Sequence, residues 1–122
     1  MDEDQVLIIM TSGPDTPRRC ATPFFMAHLA AVMESEVTMF FTIDGIKLVE
    51  KGVAEDLYPK AGGKSVAEFR DACLEAGVRF VACTAATELH DLTTDDLIDG
   101  VEMAGGAAML AVAADSGTVL SF

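Results

Sequence analysis

Four short runs in the chain are apolar and rich in β-branched and aromatic residues: QVLIIMT at 5–11, EVTMFFT at 36–42, VRFVAC at 78–83 and TVLSF at 118–122. None alternates strictly between apolar and polar positions, as a strand with one solvated face would. A strand apolar on both sides must be covered on both sides, which is the pattern of a parallel sheet buried between helices. Segments of helical character lie between the runs, so strands and helices alternate along the chain. The expectation is an α/β fold: a three-layer α/β/α sandwich with a mostly parallel sheet of four or five strands, forming a single domain over residues 1–122.

The connecting segments carry their own signals. SGPDTP reads as a turn, followed by an Ala/Met/Leu-rich helix from about Arg18 to Met33. Thr16 and Pro17 fit an N-cap and a proline at the first helical position. Phe24, Phe25, Ala27, Leu29, Ala30 and Val32 make this helix apolar nearly all round, which predicts that it is largely buried. IDGIKLVEKG suggests a short helix, and VAEDLYPKAGGKS at 53–65 a polar loop suited to a flap or a partner contact. Ser65 and Glu68 form a capping box for the next helix, with Val66, Phe69 and Cys73 on one face and Gly77 at its end. A short helical stretch runs from Thr84 to about His90. Thr94 and Asp95 open another turn that Gly100 interrupts. VEMAGGAAMLAVAADS at 101–116 reads as one final Ala-rich helix, stopped near Gly117. Gly105 and Gly106 fall inside it, where close packing on the sheet or on a neighbouring subunit would explain them. Met26, Met33, Met39, Met103 and Met109 read as core filling.

Composition narrows the function classes. Twenty acidic and 8 basic residues give a net charge of −12, which repels phosphate backbones and anionic lipid. With no Trp and 1 Tyr, a base-stacking surface is not expected. These features argue against direct nucleic-acid binding and favour docking onto a basic partner. MDEDQVLIIM lacks the basic start of a signal peptide, and no run is long enough to span a bilayer, so a cytoplasmic location without a membrane partner is expected. The 3 cysteines have no CxxC spacing, which argues against a disulfide framework and against a zinc site. No metal ligand set is expected.

In an open parallel sheet, ligands bind beyond the carboxyl ends of the strands. Three loops then matter: 12–16, 43–45 and 83–84. Cys83 ends one apolar run and adjoins a helix start, where backbone N–H groups favour a thiolate. Position alone leaves two readings, a reactive thiol or a small buried hydrophobe. Thr84 follows it. Ser12 and Gly13 lie in a turn that can cradle an anion but lacks the P-loop lysine and does not fit GxGxxG. Asp44 can orient a ligand or cap a short helix, with Gly45 completing the turn. Cys20 falls near the same edge as a second thiol or an incidental residue. Cys73, on an apolar helix face, reads as structural. His28 reads as a packed residue, and His90 as a proton donor or plain surface.

TSGPDTPRRCATPFFMAHLA, VTMFFTIDGIKLVEKG, GVRFVACTAATELHDL and DLIDGVEMAGGAAML, in this order and spacing, resemble the DsrE/DsrF-like family of small sulfur-transfer proteins over nearly the whole chain. The resemblance implies the same α/β/α sandwich and assembly as a trimer or hexamer. It also implies that Cys83 carries a persulfide, taking sulfur from a donor protein and passing it to an acceptor protein, with no metal or organic cofactor. Relay subunits serving tRNA thiolation tend to carry an Arg-Gly pair in the helix after the cysteine. Glu88 and Leu89 stand there in this chain, closer to the branch labelled "predicted peroxiredoxin". That label gains no support from VACTAAT, which lacks the Pro/Thr motif of thioredoxin-fold peroxiredoxins. Two further classes stay open on the residues alone. One is a non-catalytic module that binds a small ligand or a partner, with a structural Cys83. The other is flavin or nucleotide binding through TSGPDT.

Overall fold

The computed structural model describes residues 2–122. Five parallel strands form one sheet: β1 (Asp2–Met10), β2 (Glu36–Phe41), β3 (Arg79–Cys83), β4 (Val101–Ala104) and β5 (Ser116–Ser121), in the order β4-β3-β2-β1-β5. Four α-helices join them: α1 (Thr22–Val32), α2 (Val66–Glu75), α3 (Thr84–Leu89) and α4 (Gly106–Asp115). The expected three-layer architecture is the one observed.

Topology decides which helix covers which face. From β1 to β4 each new strand is added on the same side, so right-handed crossovers keep those connections on one face. The return from β4 to β5 runs the other way and sends α4 across the opposite face. Register agrees with this. Ile8, Met39 and Phe80 are ladder partners, as are Met10 and Phe41, and they share the face packed by α1 and α2. There Phe24 of α1 meets Phe41 and Phe80, with ring centroids 5.9 and 6.0 Å away, and Phe41 lies edge-on to Phe80 at 5.0 Å. All three rings are fully buried. The other face presents Leu7, Thr38, Phe40 and Val81 to Ala108, Met109 and Val112 of α4.

Local signals explain most boundaries. The Ser65 hydroxyl accepts from the Glu68 N–H while the Glu68 carboxylate accepts from the Ser65 N–H, closing the capping box at the start of α2. Gly77, at φ +86°, ends it. Arg70, almost fully buried on α2, donates to the Leu48 carbonyl and pairs with Glu55 and Asp71. It pins the 43–56 segment, two 3-10 turns, against the helix.

Three expectations are corrected. The first helix does not start at Arg18. Residues 17–19 form a separate 3-10 turn, the Thr16 side chain caps nothing, and α1 begins at Thr22 with Pro23 in its first turn. That helix is not largely buried either. Pro23, Phe24 and Ala27 face the core, while Phe25, Leu29, Val32 and Met33 are exposed, the last two at 63% and 71%. An all-apolar sequence cannot reveal that one layer of helices leaves an outer side uncovered. Of the methionines read as core, Met39 is buried, Met103 and Met109 are half-buried, and Met26 and Met33 are exposed. Third, 101–116 is not one helix. Val101–Ala104 is the edge strand β4, and Gly105 turns the chain into α4. β4 takes its extended form from pairing with β3, which local propensity does not register.

Removing the central ring tests this packing. Phe41→Ala should cost about 3–5 kcal/mol and Ser65→Ala about 1 kcal/mol, read from urea denaturation midpoints. A Phe41→Ala loss no larger than the cap loss would contradict the packing described.

Candidate functional site

The carboxyl edge of the sheet is assembled by glycines. A Cβ on Gly13 would run into the Asp44 carbonyl, and one on Gly45 into the Met10 carbonyl. The loops after β1 and β2 therefore interlock backbone against backbone. The Thr42 N–H donates to Met10 and the Gly45 N–H to Thr42, at 3.0 and 2.9 Å. Between them Ile43 is held at φ +54°, a left-handed conformation unusual for a β-branched residue.

Three donors converge on the Gly13 carbonyl: the Thr16 N–H at 3.0 Å, the Thr16 hydroxyl at 3.3 Å and the Cys20 thiol at 3.2 Å. Cys20 also donates to the Thr16 carbonyl at 3.3 Å. It is fully buried, and burial pushes its pKa up to about 11. Cys73 is also fully buried and donates to the Phe24 carbonyl at 3.0 Å, and burial pushes its pKa up to about 12. Both thiols are locked in the neutral form and committed to backbone carbonyls. Ser12 donates its N–H to the Phe122 carbonyl, as Thr11 does.

Cys83 sits differently. β2 ends opposite Ala82, so Cys83 projects one residue beyond it and pairs with Ala104 of β4. It is also the N-cap of α3. It is 8% exposed, and among the described residues no carbonyl accepts from its thiol. Arg79, Val81 and Cys83 alternate onto one side of β3, and Arg79 and Val81 line the same hollow as Ala104 and Ala108. Cys83 thus belongs to the α4 face. The exits of β3 and β4 diverge here, α3 going to one face of the sheet and α4 to the other. In open α/β sheets ligands bind beyond the carboxyl ends of neighbouring strands whose exits diverge in this way, and Cys83 is the last residue of β3 at that point. Thr84 is exposed beside it, and a Cβ on Gly105 would lie 3.8 Å from the Thr84 hydroxyl.

The structure brings Gly13, Asp44, Gly45 and Cys20 into one interlocked cluster, with Ser12 tied to the end of β5. Cys83 and Thr84 form a second group where the exits of β3 and β4 diverge. His90 joins the two sides in a way the sequence did not signal. Its Nε2 lies 3.2 Å from the Asp44 carboxylate and 3.1 Å from the Ile43 carbonyl. Both partners are acceptors, so Nε2 carries the hydrogen. The contact fixes the end of α3 to the loop after β2. A separate groove of about 420 Å³ lies at the opposite edge, lined by Gln5, Ser35, Glu36, Thr38 and Arg79, and contains no cysteine. Among the described residues no group of His, Cys, Asp and Glu could hold a metal ion, and no helix is long and apolar enough to cross a membrane.

Two predictions follow from this packing. Gly45→Ala should cost about 1–3 kcal/mol or more, because the clash is with backbone; an unchanged thermal midpoint would refute the interlock. The buried thiols should make the fold alkali-sensitive. The unfolded chain releases their protons near 9.0, the folded one at about 11 and about 12. Their contribution is complete below the lower value and is lost as pH rises through the upper ones. Denaturation midpoints should fall above pH 9.0, less steeply in Cys73→Ala; equal slopes in both proteins would contradict this.

Comparison with known proteins places the chain. Residues 4–122 match the DsrE/DsrF-like family model. The chain is 27% identical to a protein named sulfur carrier protein DsrE2 from Allochromatium vinosum, over 95% of this chain and 96% of that protein. It is 30% identical to an uncharacterized protein of Methanopyrus kandleri, over 83% of this chain and 79% of that one. The ychN protein from E. coli superposes with a TM-score of 0.81 at 18% identity, over 100% of both chains. A protein of unknown function from Methanobacterium thermoautotrophicum superposes with a TM-score of 0.69 at 17% identity, over 99% of this chain. These two likenesses concern the fold. The family match spans nearly all of the sequence and the architecture agrees with it: the chain belongs to the DsrE/DsrF-like family.

Proposed function

We propose that this protein is a sulfur carrier in which Cys83 accepts a sulfur atom as a persulfide and passes it on. The observation that supports this most directly is the contrast among its three cysteines. All three are buried, but Cys20 and Cys73 are bonded to carbonyls and their pKa values are pushed up by burial, whereas among the described residues no carbonyl accepts from Cys83, which ends β3 as the N-cap of α3. Family membership and likeness to a protein named as a sulfur carrier point the same way.

The step needs no external oxidant. The Cys83 thiolate attacks the outer sulfur of a donor persulfide. A new S–S bond forms at Cys83, the donor's S–S bond breaks, and the donor cysteine leaves as a thiolate that takes up a proton. Transfer to the acceptor is the same exchange in reverse roles. Thr84 and the first amides of α3 border the carried sulfur. Asp44 and Gly45, braced by Ser12, Gly13 and Cys20, hold that border in place through His90. No metal or organic cofactor takes part.

Donor and acceptor are proteins, and the net charge of −12 suits basic docking faces and disfavours nucleic acid. The three free thiols fit a reducing, cytoplasmic setting. The protein works as a homo-oligomer, a trimer or hexamer. The exposed side of α1 supports this, because that helix carries no Asp, Glu, Lys or Arg. Like-charged copies can meet there without opposing their carboxylates.

Incubation with a persulfide donor followed by intact-mass measurement tests the reading. Wild type, Cys20→Ser and Cys73→Ser should each gain one sulfur, and Cys83→Ser none. No gain in wild type, or an equal gain in Cys83→Ser, would overturn it in favour of a binding module with a structural Cys83. Light scattering of the same samples should give a mass three or six times that of the chain, and a monomer would overturn the oligomer.

A further inference from the structure

We infer that the first turn of α4, through the backbone N–H groups of Gly106 and Ala107, is the anion hole for the sulfur on Cys83. The inference deepens the sulfur-carrier reading and rests on it. α4 has 10 residues, and its first three N–H groups, on Gly106, Ala107 and Ala108, have no intrahelical partner. No side chain caps them, since the N-cap is Gly105, and no acidic residue sits in that turn. Among the described residues no backbone carbonyl outside the helix accepts from them either.

A second, independent feature aims at the same spot. Cys83 is more than nine-tenths buried and its thiol is unpartnered. It pairs with Ala104, two residues before α4 begins, and alternates onto the face that α4 covers. Thr84, the next residue, approaches Gly105. Cys83 and the start of α4 therefore lie on the same face at the same carboxyl edge of the sheet.

The chemistry matches the geometry. In the exchange the charge of the attacking thiolate leaves with the donor cysteine; the new persulfide, a stronger acid than a thiol, then loses its own proton and carries negative charge on the terminal sulfur, one bond farther from Cys83 than the thiolate. α3 starts at the cysteine itself, so its amides lie under the inner sulfur. α4 starts from the neighbouring strand, where an outer sulfur would extend. Gly105 and Gly106 keep this approach open: Gly105 is the N-cap at φ −100° and ψ −176°, and a Cβ at Gly106 meets nothing within 4 Å. The two glycines thus leave a turn whose amides no side chain covers.

Proline at the first helical position deletes one N–H while keeping helical φ, and the extended Gly105 accepts a following proline. Gly106→Pro should shorten the lifetime of the Cys83 persulfide, followed by mass after donor removal, about tenfold, the expected loss of one hydrogen bond to a charged group. It should slow iodoacetamide alkylation of Cys83 at neutral pH in the same direction. Gly106→Ala keeps the N–H and should recover most of both. Equal lifetimes in Gly106→Pro and wild type, or equal losses in the proline and alanine variants, would overturn the anion hole. In wild type, loading sulfur on Cys83 should shift the Gly106 and Ala107 amide proton resonances downfield; unmoved resonances would overturn it even if the proline variant does not fold. If wild type takes no sulfur, the sulfur-carrier reading is what fails. The alkylation rates of the two variants then still decide whether these amides hold an anion at Cys83.

Discussion

Between β4 and β5 the chain reverses the direction in which it has been adding strands, and the helix that makes the return must cross the face that α1 and α2 leave bare. Because crossovers are right-handed, this reversal alone fixes where α4 starts and which way it leaves the sheet. It also fixes which neighbouring strands diverge at their carboxyl ends. β3 and β4 are neighbours whose exits go to opposite faces, so their carboxyl ends cannot be closed by a single layer of loops. Everything particular about Cys83 follows from being the last residue of β3: its extension beyond β2, its pairing with Ala104, its role as the cap of α3 and its closeness to the start of α4.

The rest of the carboxyl edge is braced beside that point. Gly13 and Gly45 allow two loops to lock together at backbone distance, and the Gly13 carbonyl gathers Thr16 and Cys20 beneath the lock. His90 then carries the rigidity across to α3. The same physics that anchors Cys20 and Cys73 silences them. A thiol donating to a carbonyl inside an apolar core gains a hydrogen bond, loses solvation of its anion, and is a poor nucleophile at neutral pH. Hydrogen bonding to carbonyls, rather than burial alone, sets Cys20 and Cys73 apart from the likewise buried Cys83.

How much of this was legible in the sequence depends on whether a feature is local. The apolar runs gave β1, β2, β3 and β5, and Ser65 with Glu68 marked the start of α2, because burial on both faces and capping each leave a local pattern. β4 was missed. VEMA adjoins an Ala-rich stretch of high helix propensity, and its extended form comes from pairing with β3. The error concealed the role of Gly105 and Gly106, which looked like flaws inside a helix and are in fact its entrance. The contact between His90 and Asp44 spans a wide stretch of chain and has no sequence signature. The apolar circumference of α1 was legible, but its outer side could be assigned to solvent or to a neighbour only once the layers were known.

Charge makes the backbone the natural means of holding an anion here. The segments at 83–92 and 101–117, which run on from the end of β3 and through β4 and α4, contain no lysine or arginine. Lys47, Arg70 and Arg79 are paired with Glu50, with Glu55 and Asp71, and with Glu102, and Arg79 stands at the far end of β3. Arg18 and Arg19 follow β1, two strands away. An anionic sulfur placed on a chain of net charge −12 would meet repulsion that neither of these two segments offsets with a cation of its own. Peptide dipoles answer this without adding a charge. They stabilise an anion at short range and leave the acidic surface intact for a basic partner. A lysine at the same place would bind the sulfur as a fixed ion pair and oppose its release. For the carrier proposed above, two helix N-termini at the same sheet edge as one cysteine would suit holding a sulfur and then giving it up.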